Sequence, residues 1–262
     1  MDLEKLTMEV TRAARLTGEF LIEKLNSRQN LRIESKGVAD FVTEVDRESE
    51  QRLIKILTPL LPGSGFIAEE NTSTLRGERF NWIIDPLDGT TNFIHGVMPF
   101  SISIALIDGD DLILGVIHDP VQNECFYAWH GGGAWMNERP IGVSNCPYLK
   151  DALIATGFPY TDFSLIEPYM KSLQEFMGNS HGIRRLGSAA VDLAYVACGR
   201  YDAFYEYHLK PWDVAAGTVI IREAGGQVCD FKGGSDFLFG ENYVATNGII
   251  HDQFMEVIRR CF

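Results

Sequence analysis

The chain has few cysteines, a deficit of positive charge and no long apolar run. Its five cysteines, Cys125, Cys146, Cys198, Cys229 and Cys261, are scattered and include no C-x-x-C pair. An odd and unpaired set excludes a disulfide framework and reads as reduced thiols that pack the interior. No segment approaches the roughly 20 apolar residues of a membrane span. The start, Met1-Asp2-Leu3-Glu4-Lys5, carries no basic stretch ahead of an apolar one, so no secretory signal is expected. Together these absences predict a cytoplasmic protein. Lysine and arginine number 23 against 36 aspartates and glutamates, a formal net charge of −13. A surface that acidic argues against general binding to nucleic acid or to an anionic membrane. It leaves room for one small anionic substrate, because a bound divalent cation inverts the local field. The six histidines show no metal-binding spacing and read as surface or packing residues. His95, just past the most informative motif, is the exception to watch.

What is present is a globular chain of 262 residues, 45% hydrophobic, with no internal repeat and no linker-like tract. Leu3, Leu6, Val10, Ala13, Ala14, Leu21 and Leu25 recur at helical spacing. The polar stretch from Lys36 to Phe41 predicts a loop or short hairpin. Thr43 then reads as the N-cap of a helix, with Asp46 at its third position and Pro62-Gly63 as its stop. Phe66 to Ala68 and Trp82 to Ile84 read as strands, with a polar, mobile loop from Asn71 to Arg79 between them. Asp108-Gly109 between two apolar runs is a hairpin signal. Strands at Cys125 to Trp129 and Ala134 to Met136 complete a meander. From Leu153 the style changes. Strands near 153–155, 184–186, 201–205, 228 and 243–245 alternate with helices near 166–177, 188–198, 212–223 and 252–260. The expectation is one unit with an α+β lobe over about 1–150 and an α/β lobe over about 151–262.

The densest signal is Trp82-Ile83-Ile84-Asp85-Pro86-Leu87-Asp88-Gly89-Thr90-Thr91-Asn92-Phe93. An apolar strand runs into two aspartates three positions apart. Pro86 removes a ladder donor, so the chain is expected to turn there and free the Leu87 carbonyl. Gly89 permits close backbone approach in a turn whose N–H groups suit a phosphate. Two hard carboxylates beside such a turn suit Mg²⁺ held against a phosphate. Taken singly, other acids have plain structural readings. Asp46 and Asp213 sit in first helical turns, where acids serve caps and the helix dipole. Glu69-Glu70 reads as a solvated edge.

The same residues resemble the inositol monophosphatase family. Residues 82–93 resemble its central signature, and Pro211-Trp-Asp-Val-Ala-Ala-Gly217 with Glu223-Ala-Gly-Gly226 its second. Asp40 to Asp46, Ile67 to Glu70, and Gly187 to Ala190 followed by Tyr205-Glu206 resemble further blocks in the same order. The resemblance spans essentially the whole chain. It implies a layered α-β-α-β-α sandwich, of the type shared with fructose-1,6-bisphosphatase, and a homodimer. It implies two or three Mg²⁺ ions, with Mn²⁺ an alternative, and Glu69, Asp85, the Leu87 carbonyl, Asp88 and Asp213 as metal ligands. Gly89 and Thr90, with Asp88, would meet the phosphate. Gly187, Ser188, Ala189, Glu206 and Asp213 would line the alcohol side. Thr90 and Asp46 would form the relay that deprotonates water, with Glu69 assisting. The implied reaction is hydrolysis of a phosphate monoester of a small polyol or sugar, inositol 1-phosphate first, by metal-activated water and with lithium sensitivity. Fructose 1,6-bisphosphate and 3′-phosphoadenosine nucleotides are rival substrates, for which Arg184, Arg185 and Lys210 offer cations. A further rival is a binding role in transcription or RNA processing, as in some bacterial relatives. Lys36 matches a lysine of the family but reads by itself as a surface residue. The chain departs from the family at Ala68, where glycine is more usual.

Overall fold

A computed structural model describes the chain except residues 28–32, 38–39 and 161, and describes only the backbone of 33–37 and 40–42. The Lys36 side chain therefore lies outside the described residues. Two long helices come first. α1 (Leu3–Asn26) is capped by Asp2 and buries the apolar stripe of Leu6, Val10, Ala14 and Leu21. After the hairpin β1 (Ile33–Gly37) and β2 (Asp40–Thr43), α2 (Glu44–Leu60) opens in a capping box. The Thr43 hydroxyl accepts from Val45 N, and Asp46 reaches back to Thr43 N. This is the start that the spacing predicts.

A seven-stranded sheet follows, in sequence order, from β3 (Gly65–Ala68) and β4 (Phe80–Asp88) through β5 (Ser101–Asp108), β6 (Asp111–Asp119), β7 (Glu124–Trp129) and β8 (Ala134–Met136) to β9 (Arg139–Ile141). β3 and β4 are parallel and the rest antiparallel. Between β4 and β5 lies α3 (Thr90–His95), a short helix that the sequence pattern does not announce. A second sheet of five strands has the order β11-β10-β12-β14-β13. It is built from β10 (Leu153–Thr156), β11 (Gly182–Arg184), β12 (Ala203–Tyr207), β13 (Gln227–Cys229) and β14 (Asn242–Thr246). Its helices are α4 (Ile166–Asn179), α5 (Ala189–Ala197), α6 (Pro211–Glu223) and α7 (His251–Cys261).

Three apolar cores fix the stacking. α1 and α2 pack Val10, Leu21, Leu53 and Leu57 on Trp82, Ile84, Ile104 and Val116. The opposite face of that sheet (Ile83, Ala105, Ile117, Phe126) packs on α5 and α6, which meet Phe204, Tyr243 and Ala245 of the second sheet. Beyond it, Tyr205 and Val244 pack on Tyr169, Phe176, Phe254 and Met255 of α4 and α7. The layers are α-β-α-β-α, as the resemblance implies. Burial on both faces explains why β4 reads as an unbroken apolar run rather than an alternation.

Three sequence expectations are corrected. β4 does not end at Asp85. It continues through Pro86 to Asp88, because a register irregularity against β5 between Asp85 and Asp88 absorbs the missing donor. Two of the second sheet's five strands are displaced by two residues from the expected positions, so β11 stops at Arg184 and β12 reaches Tyr207, while β10, β13 and β14 fall where expected. Period-two alternation then places Glu206 on the face of Phe204, toward the middle helical layer. The loop from Asn71 to Arg79 is tied down. Phe66 N donates to Leu75 O at 2.8 Å, and Asn81 and Gly77 bond each other at 2.9 and 3.0 Å. It covers the open edge of β3, where unpaired backbone would otherwise face solvent.

Candidate active site

Asp85 and Asp88 sit at the carboxyl end of β4, where the amino ends of α5 and α6 meet in the middle layer. Main-chain donors hold their side chains. Leu87 N donates to Asp85 Oδ1 at 2.9 Å. Ala190 N donates to Asp88 Oδ2 at 2.9 Å, and the Ser188 hydroxyl, the N-cap of α5, donates to the same oxygen. Asp88 is thus fixed by the first turn of a helix about 100 residues further along the chain, where the helix dipole favours a carboxylate. Asp213 is held locally, in the first turn of α6, where Lys210 N donates to its Oδ2 at 2.7 Å.

One cavity of about 230 Å³ is lined by Glu69, Asp85, Leu87, Asp88, Gly89, Thr90, Thr91, Tyr160, Arg185, Gly187 and Asp213. A smaller one of about 70 Å³ shares Asp88, Tyr160, Arg185, Gly187 and Asp213 with it and adds Gly157, Ser188, Ala189, Asp192, Glu206 and Leu209. The two form a cleft with an annex. A larger cavity, about 710 Å³, lies away from these acids, against Arg222, His130 and the segment from Ser235 to Phe239. Size does not outweigh chemistry here, and we place the site at the acid-lined cleft.

The electrostatics of the cleft are unusual. Burial, then Glu69, Asp88 and Asp213, hold the Asp85 carboxyl well above the usual carboxylate range. Burial raises Asp88 against the pull of its Ser188 and Ala190 bonds. Burial first and Asp88 second push Asp213 up to about 8. Burial pushes Glu206 to about 8 as well, moderated by Arg185. Acids that raise one another's affinity for protons mark a place where positive charge is welcome. Among the described residues no three Asp, Glu, His or Cys side chains converge closely enough to hold a metal by themselves. The acids form one wall of a cleft and not a closed cage.

Thr90 lines the same cleft, two residues after Asp88. Its hydroxyl lies 2.9 Å from Asp46 Oδ1 and 3.0 Å from the Leu87 carbonyl. One hydroxyl proton serves one acceptor at a time, so the group is poised between two partners. Burial raises the Asp46 carboxyl, opposed by its bonds from Thr43 and Thr90. Gly89, before Thr90, has φ +92°, and Gly187 across the cleft has the same value, in the region that side chains disfavour. A Cβ at Gly89 would lie 3.1 Å from the Gly187 carbonyl, so the two turns touch backbone to backbone.

All the residues proposed from the sequence for metal, phosphate and alcohol contacts line the cleft or its annex. Asp46 stands behind them, reaching the cleft through Thr90. Ser188 is committed to Asp88 rather than open to a ligand. His95 is exposed and lines neither cavity. Of the three cations offered for a second phosphate, Lys210 pairs with Glu241, and Arg184 is exposed with its guanidinium on the Ile183 carbonyl. Only Arg185 lines the cleft.

Several contributors were missed. Glu50 is fully buried and accepts from Glu70 N at 2.8 Å and from Thr72 N and Oγ1 at 2.6 Å each, anchoring the loop that carries Glu69. Its position four residues after Asp46 on one helix face was the available signal. Asn92 donates to the carbonyls of Pro99 (2.7 Å) and Leu186 (2.9 Å), fastening α3 to the Gly187 turn. Asp192 is a lone acid inside the apolar helix α5, a pattern visible in the sequence.

A five-layered sandwich with a buried acid cleft at a strand's carboxyl end defines a layered α/β protein whose candidate site gathers carboxyl groups from several elements. The chain belongs to the inositol monophosphatase family, whose model matches residues 2–261. It is 40% identical over 253 residues to an inositol-1-monophosphatase of Mesorhizobium japonicum, covering 96% of this chain and 95% of the relative. It is 43% identical over 241 residues to the Nus factor SuhB of Pseudomonas aeruginosa, covering 90% and 89%. Among solved structures, the extragenic suppressor protein suhB from Bartonella henselae superposes with a TM-score of 0.93 at 40% identity, covering 97% of this chain and 99% of that one.

Proposed function

We propose that this protein is a Mg²⁺-dependent phosphatase of phosphate monoesters of small polyols, with inositol 1-phosphate as the first candidate substrate. The observation that carries the reading is the set of mutually repelling buried acids, Asp85, Asp88 and Asp213, lining one cleft together with the Gly89-Thr90 turn. An all-oxygen donor set of carboxylates and the Leu87 carbonyl fits Mg²⁺ or Mn²⁺ rather than Zn²⁺. An open acid wall fits as well, since Mg²⁺ keeps several waters and takes the remaining ligands from one or two carboxylates and the substrate's phosphate. Glu69, Asp85, the Leu87 carbonyl, Asp88 and Asp213 would hold two or three such ions, which polarise the phosphoryl group and neutralise developing charge.

The chain's own residues do the rest. The N–H groups of Gly89 and Thr90 meet the phosphate. The Thr90 hydroxyl orients the attacking water and passes its proton toward Asp46. As the water oxygen bonds to phosphorus, the ester O–P bond breaks and the leaving oxygen takes a proton from a second water, so that the alcohol departs into the annex. There Glu206 accepts a hydroxyl hydrogen bond. The Gly187 to Ala189 turn shapes the annex wall. With Lys210 paired to Glu241, the annex offers a second phosphate one cation, Arg185, against Glu206, Asp192 and Asp213. That balance favours a neutral polyol over fructose 1,6-bisphosphate or a phosphoadenosine nucleotide.

The relatives named Nus factor SuhB support a second reading, a binding role beside catalysis. Among the described residues no helix is long and apolar enough to cross a membrane. A cytoplasmic homodimer of two-lobed single units belongs to the proposal, and native mass in solution tests the dimer. The deciding experiment is a substrate panel with Mg²⁺, with and without Li⁺. Inositol 1-phosphate should be turned over fastest, and Li⁺ should suppress it. A tenfold or greater preference for a nucleotide bisphosphate would overturn the substrate assignment.

A further inference from the structure

Asp192 occupies the fourth position after the N-cap Ser188 of α5, amid Ala189, Ala190, Val191, Leu193 and Ala194. It is 2% exposed, and its Oδ1 has no hydrogen-bond partner. Among the described residues it is the only carboxyl with such an atom; the other two orphaned atoms are the hydroxyls of Thr11 and Ser49. A buried carboxyl without a partner costs stability, so its presence calls for a compensating role. Asp192 lines the annex beside Glu206. The annex wall is shaped around Glu206. A Cβ on Gly157 would overlap the Glu206 carboxyl, so glycine there leaves the space in which Glu206 lies. Arg185 lines both cavities, and its guanidinium lies over the Phe158 ring, 5.5 Å from the centroid.

We propose that Asp192 is a specificity-determining residue that takes a second hydroxyl of the leaving alcohol next to the one taken by Glu206. The site would then select phosphate esters whose alcohol carries two neighbouring hydroxyls. Two carboxyls lining one small annex match a vicinal diol, and a ligand hydroxyl supplies the donor that Asp192 Oδ1 lacks. Burial, with Glu206 and Asp88, holds the Asp192 carboxyl well above the usual carboxylate range. A carboxyl in that state both donates and accepts, which suits a hydroxyl. A small volume of about 70 Å³ admits hydroxyl groups more readily than a second phosphate.

This inference rests on the phosphatase reading, and the test separates the two. Asp192→Ala and Asp192→Asn are compared with the wild-type protein on inositol 1-phosphate and on phenyl phosphate, whose alcohol has no neighbouring hydroxyl. Asp192→Ala should raise KM for inositol 1-phosphate about tenfold, with kcat within about threefold and KM for phenyl phosphate within about twofold. Asp192→Asn, which keeps hydrogen-bonding atoms, should restore KM to within about threefold of wild type. Removing an unpartnered buried carboxyl from a helix should also leave Tm unchanged or raise it. Equal KM changes on both substrates, no change on either, or a fall in Tm above about 5 °C would overturn the assignment and make Asp192 a structural residue. A wild-type protein that hydrolyses phenyl phosphate but no polyol monophosphate would overturn the substrate reading and this inference with it.

Discussion

Glu50 and Asp202 are as deeply buried as Asp85 and Asp88, at 0% and 7% exposure against 3% and 9%, yet their surroundings are opposite. Both oxygens of Glu50 are met by donors from Glu70 and Thr72. Both oxygens of Asp202 are met as well, by the Ser144 hydroxyl and by Leu153 N. Asp85 has one main-chain donor and three other acids as its neighbours. The Ser101 and Ser188 hydroxyls and Ala190 N converge on one oxygen of Asp88, Oδ2. An acid saturated by N–H and O–H groups is a clamp that organises the chain. Acids pressed on acids are destabilising alone and become favourable only with a cation or a proton. Burial does not separate the two sets; the completeness of the donor shell does.

The largest test of that contrast is Asp88→Asn. It should lower kcat by more than about a thousandfold while leaving Tm equal or higher, since it removes one of several repelling charges. Unchanged turnover would place the chemistry elsewhere. Thr90→Ala should lower kcat about a hundredfold and Thr90→Ser much less, because only the hydroxyl bridges toward Asp46. Glu50→Ala should behave as a clamp does, with a stability loss of about 3 kcal/mol from stranded donors and about a tenfold drop in activity through the loosened Glu69 loop. If denaturant unfolding of that variant matches wild type, the distinction between clamp and site acids fails.

The pH dependence of stability comes next. Glu206, at about 8 in the folded chain, holds its proton more tightly than the unfolded carboxyl near 4.5. The folded state then binds more protons between these values, so without divalent cations stability falls as pH rises from about 4.5 to about 8. Glu206→Gln should flatten that slope by at least about 1 kcal/mol, read from Tm at both ends of the window. The smallest effect belongs to a surface pair. Arg200 grips Glu124 with two 2.5 Å bonds at the margin of β7. Arg200→Ala should cost less than about 1 kcal/mol and leave kcat unchanged.

Parts of the site could be read directly. The capping box of Thr43 and Asp46 is local, so its spacing alone announces it. The spacing of Asp85 and Asp88 likewise put two acids beside a tight turn. Other parts were hidden because their causes lie far along the chain. β4 runs through Pro86 only because β5 shifts register opposite it. α3 forms where Asn92 can reach Leu186, 94 positions later. Asp192 is a lone acid in an apolar helix, a pattern the sequence reading passed over, and nothing local says which cavity it lines.

The sequence by itself determined the inventory: which acids exist, which helices they cap, where glycine permits a left-handed turn, and which runs are apolar enough to be buried on both faces. These are short-range matters of propensity and spacing. The tertiary structure decided which acids share a cleft and which are sealed by donors. Coulombic repulsion and desolvation depend on distances between atoms, and those distances are set by five layers packing, not by neighbours along the chain.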